Sequence, residues 1–203
     1  VHAAAEWSED PGALQRAKDA VAEGDIVIAT MLFLDEHIRA ILPDLQARRD
    51  DCDAMVCLIS GAEIVKLTKL GKLDMGKPAT GMMALMKRLR GARGSKASSG
   101  AGQMSMLRRL PRMLKLIPGK AQDLRSWFLM MQYWLGGSDD NVEAMIEYLV
   151  ATYASGPRRA LADTLEPAAP VEYAETGLYH PDLPDRITTD PAAIVGPDAP
   201  AGT

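Results

Sequence analysis

Two short apolar runs, IVIAT at 26–30 and AMVCLIS at 54–60, constrain this chain more than anything else in it. Both are rich in β-branched or large apolar residues, and neither alternates with polar ones. Strands apolar on both sides need cover on both sides, as in a parallel sheet with helices above and below. Segments of helical period surround them. Asp10 followed by Pro11 marks an N-cap and a first helical residue, Leu14, Ala17, Ala20 and Val21 share a face, and Gly24 ends the helix. A second helix is expected from about Phe33 to Arg48, with Leu34, Ile38, Ile41, Leu42 and Leu45 inward and a kink at Pro43. A third is expected to carry Ile64, Val65, Leu67 and Leu70.

Helix–strand–helix–strand–helix with short turns implies parallel strands joined by a right-handed crossover. The fold class is α/β: a partial open parallel sheet (Rossmann or flavodoxin-like), followed by a mainly helical insert and the start of a further domain. Two strands are few for such a sheet, so further strands are expected before Val1, and the chain is expected to be a fragment of something longer. Its opening, VHAAAEWSED, has neither the basic nor the apolar region of a signal peptide. The longest stretch without a strongly polar residue, Ile26–Leu34, is about half of what a bilayer crossing requires.

From Gly71 the alternation stops. MMALMKRLR has the spacing of a short amphipathic helix, and GARGSKASSGAGQ is too small and polar to pack. Helical spacing resumes with Met104, Leu107, Leu110, Leu114 and Ile117, interrupted at Pro111 and ended by Pro118-Gly119. Asp123–Leu135 is apolar all round, the pattern of a buried helix. Gly136-Gly137 closes it. Ser138 caps the next helix, whose inward stripe is Val142, Met145, Ile146, Leu149 and Tyr153. A proline-rich acidic stretch follows Gly156, with one extended run, VEYAETGLYHP. The expected division is a partial α/β domain at 1–70, a basic helical segment at 71–155 with a flexible linker at 91–102, and an acidic linker at 156–203 leading into a larger domain.

Charge follows the same division. The chain carries a net charge of −4, yet residues 65–122 hold 14 bases and one acid, Asp74, between two acidic flanks. Such asymmetry bears on partners rather than on fold. Readers of RNA and single strands interleave aromatic rings with basic residues. Residues 65–122 contain no Phe, Tyr, Trp or His, so nucleic acid is not an expected partner. Met, Leu and Ile opposite Lys and Arg leave an anionic membrane surface, an acidic protein or a carboxylate ligand open.

No catalytic motif appears. In open α/β sheets ligands sit at the carboxyl ends of strands, which here means Thr30-Met31 and Ser60-Gly61, although two ordinary strand-to-helix turns are the plainer expectation there. The Gly-rich stretch at 91–102 lacks the GxxxxGK[ST] pattern and follows no strand, so it is not a phosphate loop. His2, His37 and His180 are isolated from one another and from cysteine, and no metal site is expected. Cys52 and Cys57 match neither a zinc nor a redox spacing; reduced thiols in a cytoplasmic protein are the expectation. Trp127, Phe128, Met130, Met131 and Trp134 suggest core rather than a wall for a planar ligand.

The stretches LRRLP, LIPGKAQD and QYWLGGSDDN, within a region running from about Gly24 to Ala154, resemble the N-terminal region of the large porphyrin-binding subunits of magnesium chelatases, bacteriochlorophyll type. VEYAETGLYHPDLP resembles the entry into that family's large chelatase domain. The resemblance implies a subunit of an ATP-dependent enzyme of (bacterio)chlorophyll biosynthesis that inserts Mg2+ into protoporphyrin IX. Two AAA+ type partner subunits would hydrolyse ATP, consistent with the missing phosphate loop. It implies a cytoplasmic protein peripheral to the photosynthetic membrane, with the catalytic residues outside this chain. Lys66, Lys69, Arg108, Arg109, Arg112 and Lys115 are the residues expected to meet porphyrin propionates, partner subunits or membrane. A cobaltochelatase large subunit and a non-catalytic docking module are the alternatives.

Overall fold

The computed structural model describes residues 1–77, 111, 114, 119–172, 177–181, 183 and 186–194. The expected helix MMALMKRLR and the 91–102 linker lie outside these residues. Helix α1 spans Pro11–Glu23 and begins as the sequence predicts, with the Gly12 N–H donating to Asp10 Oδ1 at 2.8 Å. Its buried face is Ala13 and Ala17, with Val21 beside them; Ala20 is exposed. Strand β1 (Ile26–Thr30) leads to helix α2 (Asp35–Arg48), which runs through Pro43 without ending there. Ile38, Ile41 and Leu45 are its buried face. Leu34, expected inward, occupies the N-cap and is exposed, and Leu32 is buried instead.

Strand β2 (Ala54–Leu58) pairs parallel with β1 from Ile26↔Ala54 to Thr30↔Leu58. All five β2 residues are buried, because the sheet is covered on both faces. Val27, Ala29, Met55 and Cys57 pack toward α1 and α2. Ala54, Val56 and Leu58 pack toward helices α4 (Lys120–Gly136) and α5 (Asp139–Tyr153). The pleat thus serves two cores, and each large β2 side chain contributes about 1.5–3 kcal/mol by leaving water.

The third helix is shorter than its periodicity suggests. α3 ends at Val65 (Ala62–Val65), and the chain returns as strand β3 (Lys69–Leu70), antiparallel to β2. Strand β4 (Leu73–Asp74) completes a hairpin, so the sheet is mixed, in the order β1-β2-β3-β4. The cause is visible at Thr68. Its buried hydroxyl accepts from the Cys57 N–H at 3.1 Å and donates to the Cys57 carbonyl at 3.2 Å. A single side chain, on the residue just before β3, thereby pairs the β2 backbone at Cys57, two residues past Met55, where the β3 pairing stops. Ile64 and Leu67 keep to the α1/α2 side, while Leu70 faces the opposite core.

α4 is core, as its composition predicts: Leu124, Phe128, Leu129, Met130 and Tyr133 are buried, and Leu135 near its end is exposed. Gly137, at φ 65°, ends it in the left-handed conformation. Ser138 caps α5 through the Asn141 N–H at 3.2 Å. Met145 and Leu149 are buried as expected, but Ile146 is 48% exposed. Helix α6 (Arg159–Ala162) follows, and strands β5 (Leu178–Tyr179) and β6 (Ile187–Thr188) form a separate antiparallel ribbon.

Candidate functional site at the strand ends

β1 and β2 end level with each other, and their two exit turns are tied together. Met31 N–H donates to the Ile59 carbonyl at 3.0 Å, and Gly61 N–H donates to the Leu32 carbonyl at 2.8 Å. Ser60 Oγ accepts from the Leu32 N–H at 3.1 Å and donates to the Leu58 carbonyl at 2.8 Å. Gly61 is required by close approach, since a Cβ there would lie 2.7 Å from Ile38 Cδ1. Both turns contain a non-glycine residue at positive φ: Met31 at 60° and Ile59 at 40°. For a β-branched residue this costs on the order of 1–3 kcal/mol, a strain that hydrogen bonds on either side must hold. The result is a rigid rim that presents Met31, Phe33 and Leu34, each more than half exposed. Thr30 Oγ1 is buried behind it with no hydrogen-bond partner among the described residues.

The rim exposes apolar side chains, and among the described residues it holds no nucleophile paired with a base. Ser60 Oγ is committed to two backbone groups. Burial pushes the Cys57 thiol up to about 12 and raises that of Cys52 as well, so neither is a thiolate at neutral pH. Both cysteines are free. His37 packs edge-on against Trp7 at 5.5 Å, and no group of three metal-ligating side chains occurs among the described residues.

Of the six basic residues singled out by the sequence, Lys66 and Lys69 are described; Arg108, Arg109, Arg112 and Lys115 lie outside the described residues. Lys66 is exposed, just past α3. Lys69 donates to Asp50 Oδ1 at 2.7 Å, and this bond holds the Asp50 carboxyl below its usual range. Lys69 is therefore partly spoken for, while Lys66 is open to solvent.

Sequence reasoning did not find a clasp at the opposite, amino end of the sheet. Asp53 accepts from the Ser155 N–H at 3.0 Å and from Arg158 Nε and Nη2 at 3.2 and 3.1 Å, and its carboxylate also accepts from the Ser155 hydroxyl. Arg158 reaches Asp25 as well, at 3.2 Å. Burial raises the Asp53 carboxyl, but the Ser155 and Arg158 bonds outweigh it and leave it below the ordinary range. Asp25 and Asp53 each immediately precede a strand; that position was the available signal, without an indication of the partner about 100 residues away.

Residues 1–128 match the family described as a domain of unknown function, DUF3479. The chain belongs to this family. It is similar to two bacterial proteins, each named as the H subunit of magnesium chelatase. The identity is 59% over 97% of this chain for that of Cereibacter sphaeroides and 57% over the whole chain for that of Rhodobacter capsulatus. The rice (Oryza sativa subsp. indica) chloroplastic ChlH subunit of magnesium chelatase is 29% identical over 81% of the chain. The match covers 16%, 17% and 12% of these relatives, so the chain spans about a sixth of the two bacterial ones.

Proposed function

We propose that this chain is the N-terminal segment of the porphyrin-binding subunit of a magnesium chelatase of the bacteriochlorophyll pathway. Identity of 57–59% to bacterial H subunits across nearly every residue is the observation that carries it. The full-length subunit presents protoporphyrin IX for Mg2+ insertion, and two AAA+ type partners supply ATP hydrolysis. Coupling to ATP has a physical motive, because Mg2+ gives up its water reluctantly. This segment contributes binding surfaces. The insertion chemistry is assigned to the rest of the subunit, as the resemblance implies.

In this reading Lys66, Lys69, Arg108, Arg109, Arg112 and Lys115 face the porphyrin propionates or the partner subunits. Residues 1–70, 71–155 and 156–203 form successive units leading into the chelatase domain. No helix among the described residues is long and apolar enough to cross a membrane. A cytoplasmic subunit that touches the photosynthetic membrane only peripherally is the localisation proposed.

The test is tryptophan quenching in the full-length subunit, comparing protoporphyrin IX with a corrin, together with a Mg2+ insertion assay. Porphyrin should bind at least about tenfold more tightly, and insertion should require both partners and ATP. Equal binding of the corrin, or insertion without ATP, would overturn the proposal.

A further inference from the structure

Helix α5 buries one side and leaves another uncovered. Ala144, Met145 and Leu149 are in the core against the sheet and α4, whereas Val142 is half-buried and Ile146 is exposed. These two residues, four apart, line a shallow surface trough with Asp139, Glu143 and Glu147, which recur at the same interval. The first-turn acids Asp139 and Asp140 are accounted for by the helix dipole, but Glu143 and Glu147 lie beyond its reach. None of these four carboxylates has an ion pair among the described residues. The contrast with the rest of the fold is direct. Asp53 and Asp74, which also border buried surface, are each met by an arginine.

An apolar stripe flanked by unneutralised carboxylates selects its occupant by charge. Phosphate backbones, anionic headgroups and carboxylate ligands are all repelled. The two rows repeat every turn, about 6 Å apart, which is the interval at which another helix presents its own side chains. We infer that the outer face of α5 is a docking surface for a cationic amphipathic helix of a partner protein, with Lys or Arg set beside Leu or Ile at four-residue spacing.

The experiment uses the full-length subunit and an 18-residue Leu/Lys amphipathic peptide as probe, labelled for anisotropy. A scrambled peptide of the same composition and a Leu/Glu counterpart are the controls. Wild-type protein should bind the amphipathic peptide at least tenfold more tightly than either control. Ile146→Ser and the double variant Glu143→Lys/Glu147→Lys should each weaken it at least tenfold while leaving the thermal midpoint in place, since these side chains lie on the surface. Hydrogen exchange should slow across 142–150 when the peptide is added. Equal binding of the scrambled peptide would overturn the proposal, as would variants that bind normally. Carboxylate footprinting that finds Glu143 and Glu147 already covered in the free subunit, by the rest of its own chain or by a second copy, would overturn it too.

Discussion

Asn141 holds Val171 by both ends of its side-chain amide: Nδ2 donates to the Val171 carbonyl at 3.1 Å, and Oδ1 accepts from the Val171 N–H at 2.9 Å. Asn141 is fully buried, and a Cβ on Gly136 would collide with its amide. The Tyr133 hydroxyl donates to the Ala168 carbonyl nearby. The acidic stretch after α6 therefore does not leave the fold freely; its first residues are pinned against the ends of α4 and α5. Asn141→Ala should cost about 1–3 kcal/mol, as buried backbone groups lose their partners. Urea unfolding gives the loss, and hydrogen exchange at the Val171 amide should speed up well beyond the global change. An unaltered Val171 exchange rate would show that the clasp is not formed.

Thr68→Val tests what ends α3 and starts β3. The substitution keeps the shape and removes the hydroxyl that serves both backbone groups of Cys57. A loss of about 1–3 kcal/mol is expected, with Thr68→Ser recovering most of it. Loss of the same size in the serine variant would point to the methyl group instead.

Met31 is strained and its side chain is largely in water. Met31→Gly should therefore raise stability by about 0.5–1 kcal/mol, and Met31→Val should lower it by about 1–2 kcal/mol. Thermal denaturation of both variants checks the sign.

Acid should unfold the protein through Asp53 and Asp74. At each, burial pushes the carboxyl up, but Ser155 and Arg158 in one case, and Arg49 and Lys77 in the other, bring it below the ordinary range. A depressed folded pKa means that the unfolded chain binds more protons in acid. The stability from these groups is complete above the unfolded value of about 3.9 and is lost as pH falls through the lower folded values. The thermal midpoint should be level near neutrality and drop below about pH 4. Asp53→Asn should lower it at pH 7 by the equivalent of about 1–2 kcal/mol, with solvent screening of Arg158 limiting the effect, and should flatten the acid drop.

Local signals explain what the sequence made legible. Asp10-Pro11, Gly24, Ser138 and Gly136-Gly137 act within a turn of themselves, so α1, α4 and α5 could be bounded without their neighbours. β1 and β2 were legible because a run apolar on both faces has few other uses. The two-residue strands β3 and β4 were not, since pairing with Ala54 and Met55 defines them rather than composition. Leu34 and Ile146 have helical spacing but sit at the margin of their stripes, where burial depends on whether another element arrives. The turns after β1 and β2 are legible as turns, yet their strain is not, because Met31 and Ile59 are not residues that announce positive φ. Asn141 and Asp53 were missed because their partners are 30 and about 100 residues away.

In the role we propose, this segment serves a porphyrin-binding chelatase subunit through its binding surfaces. Tryptophan-quenching titration of the full-length subunit with protoporphyrin IX, wild type against Arg108→Glu/Arg109→Glu, tests it most directly, with assembly onto the partner subunits measured in parallel. At least a tenfold loss in porphyrin affinity or in assembly is expected. Unchanged values for both would contradict it.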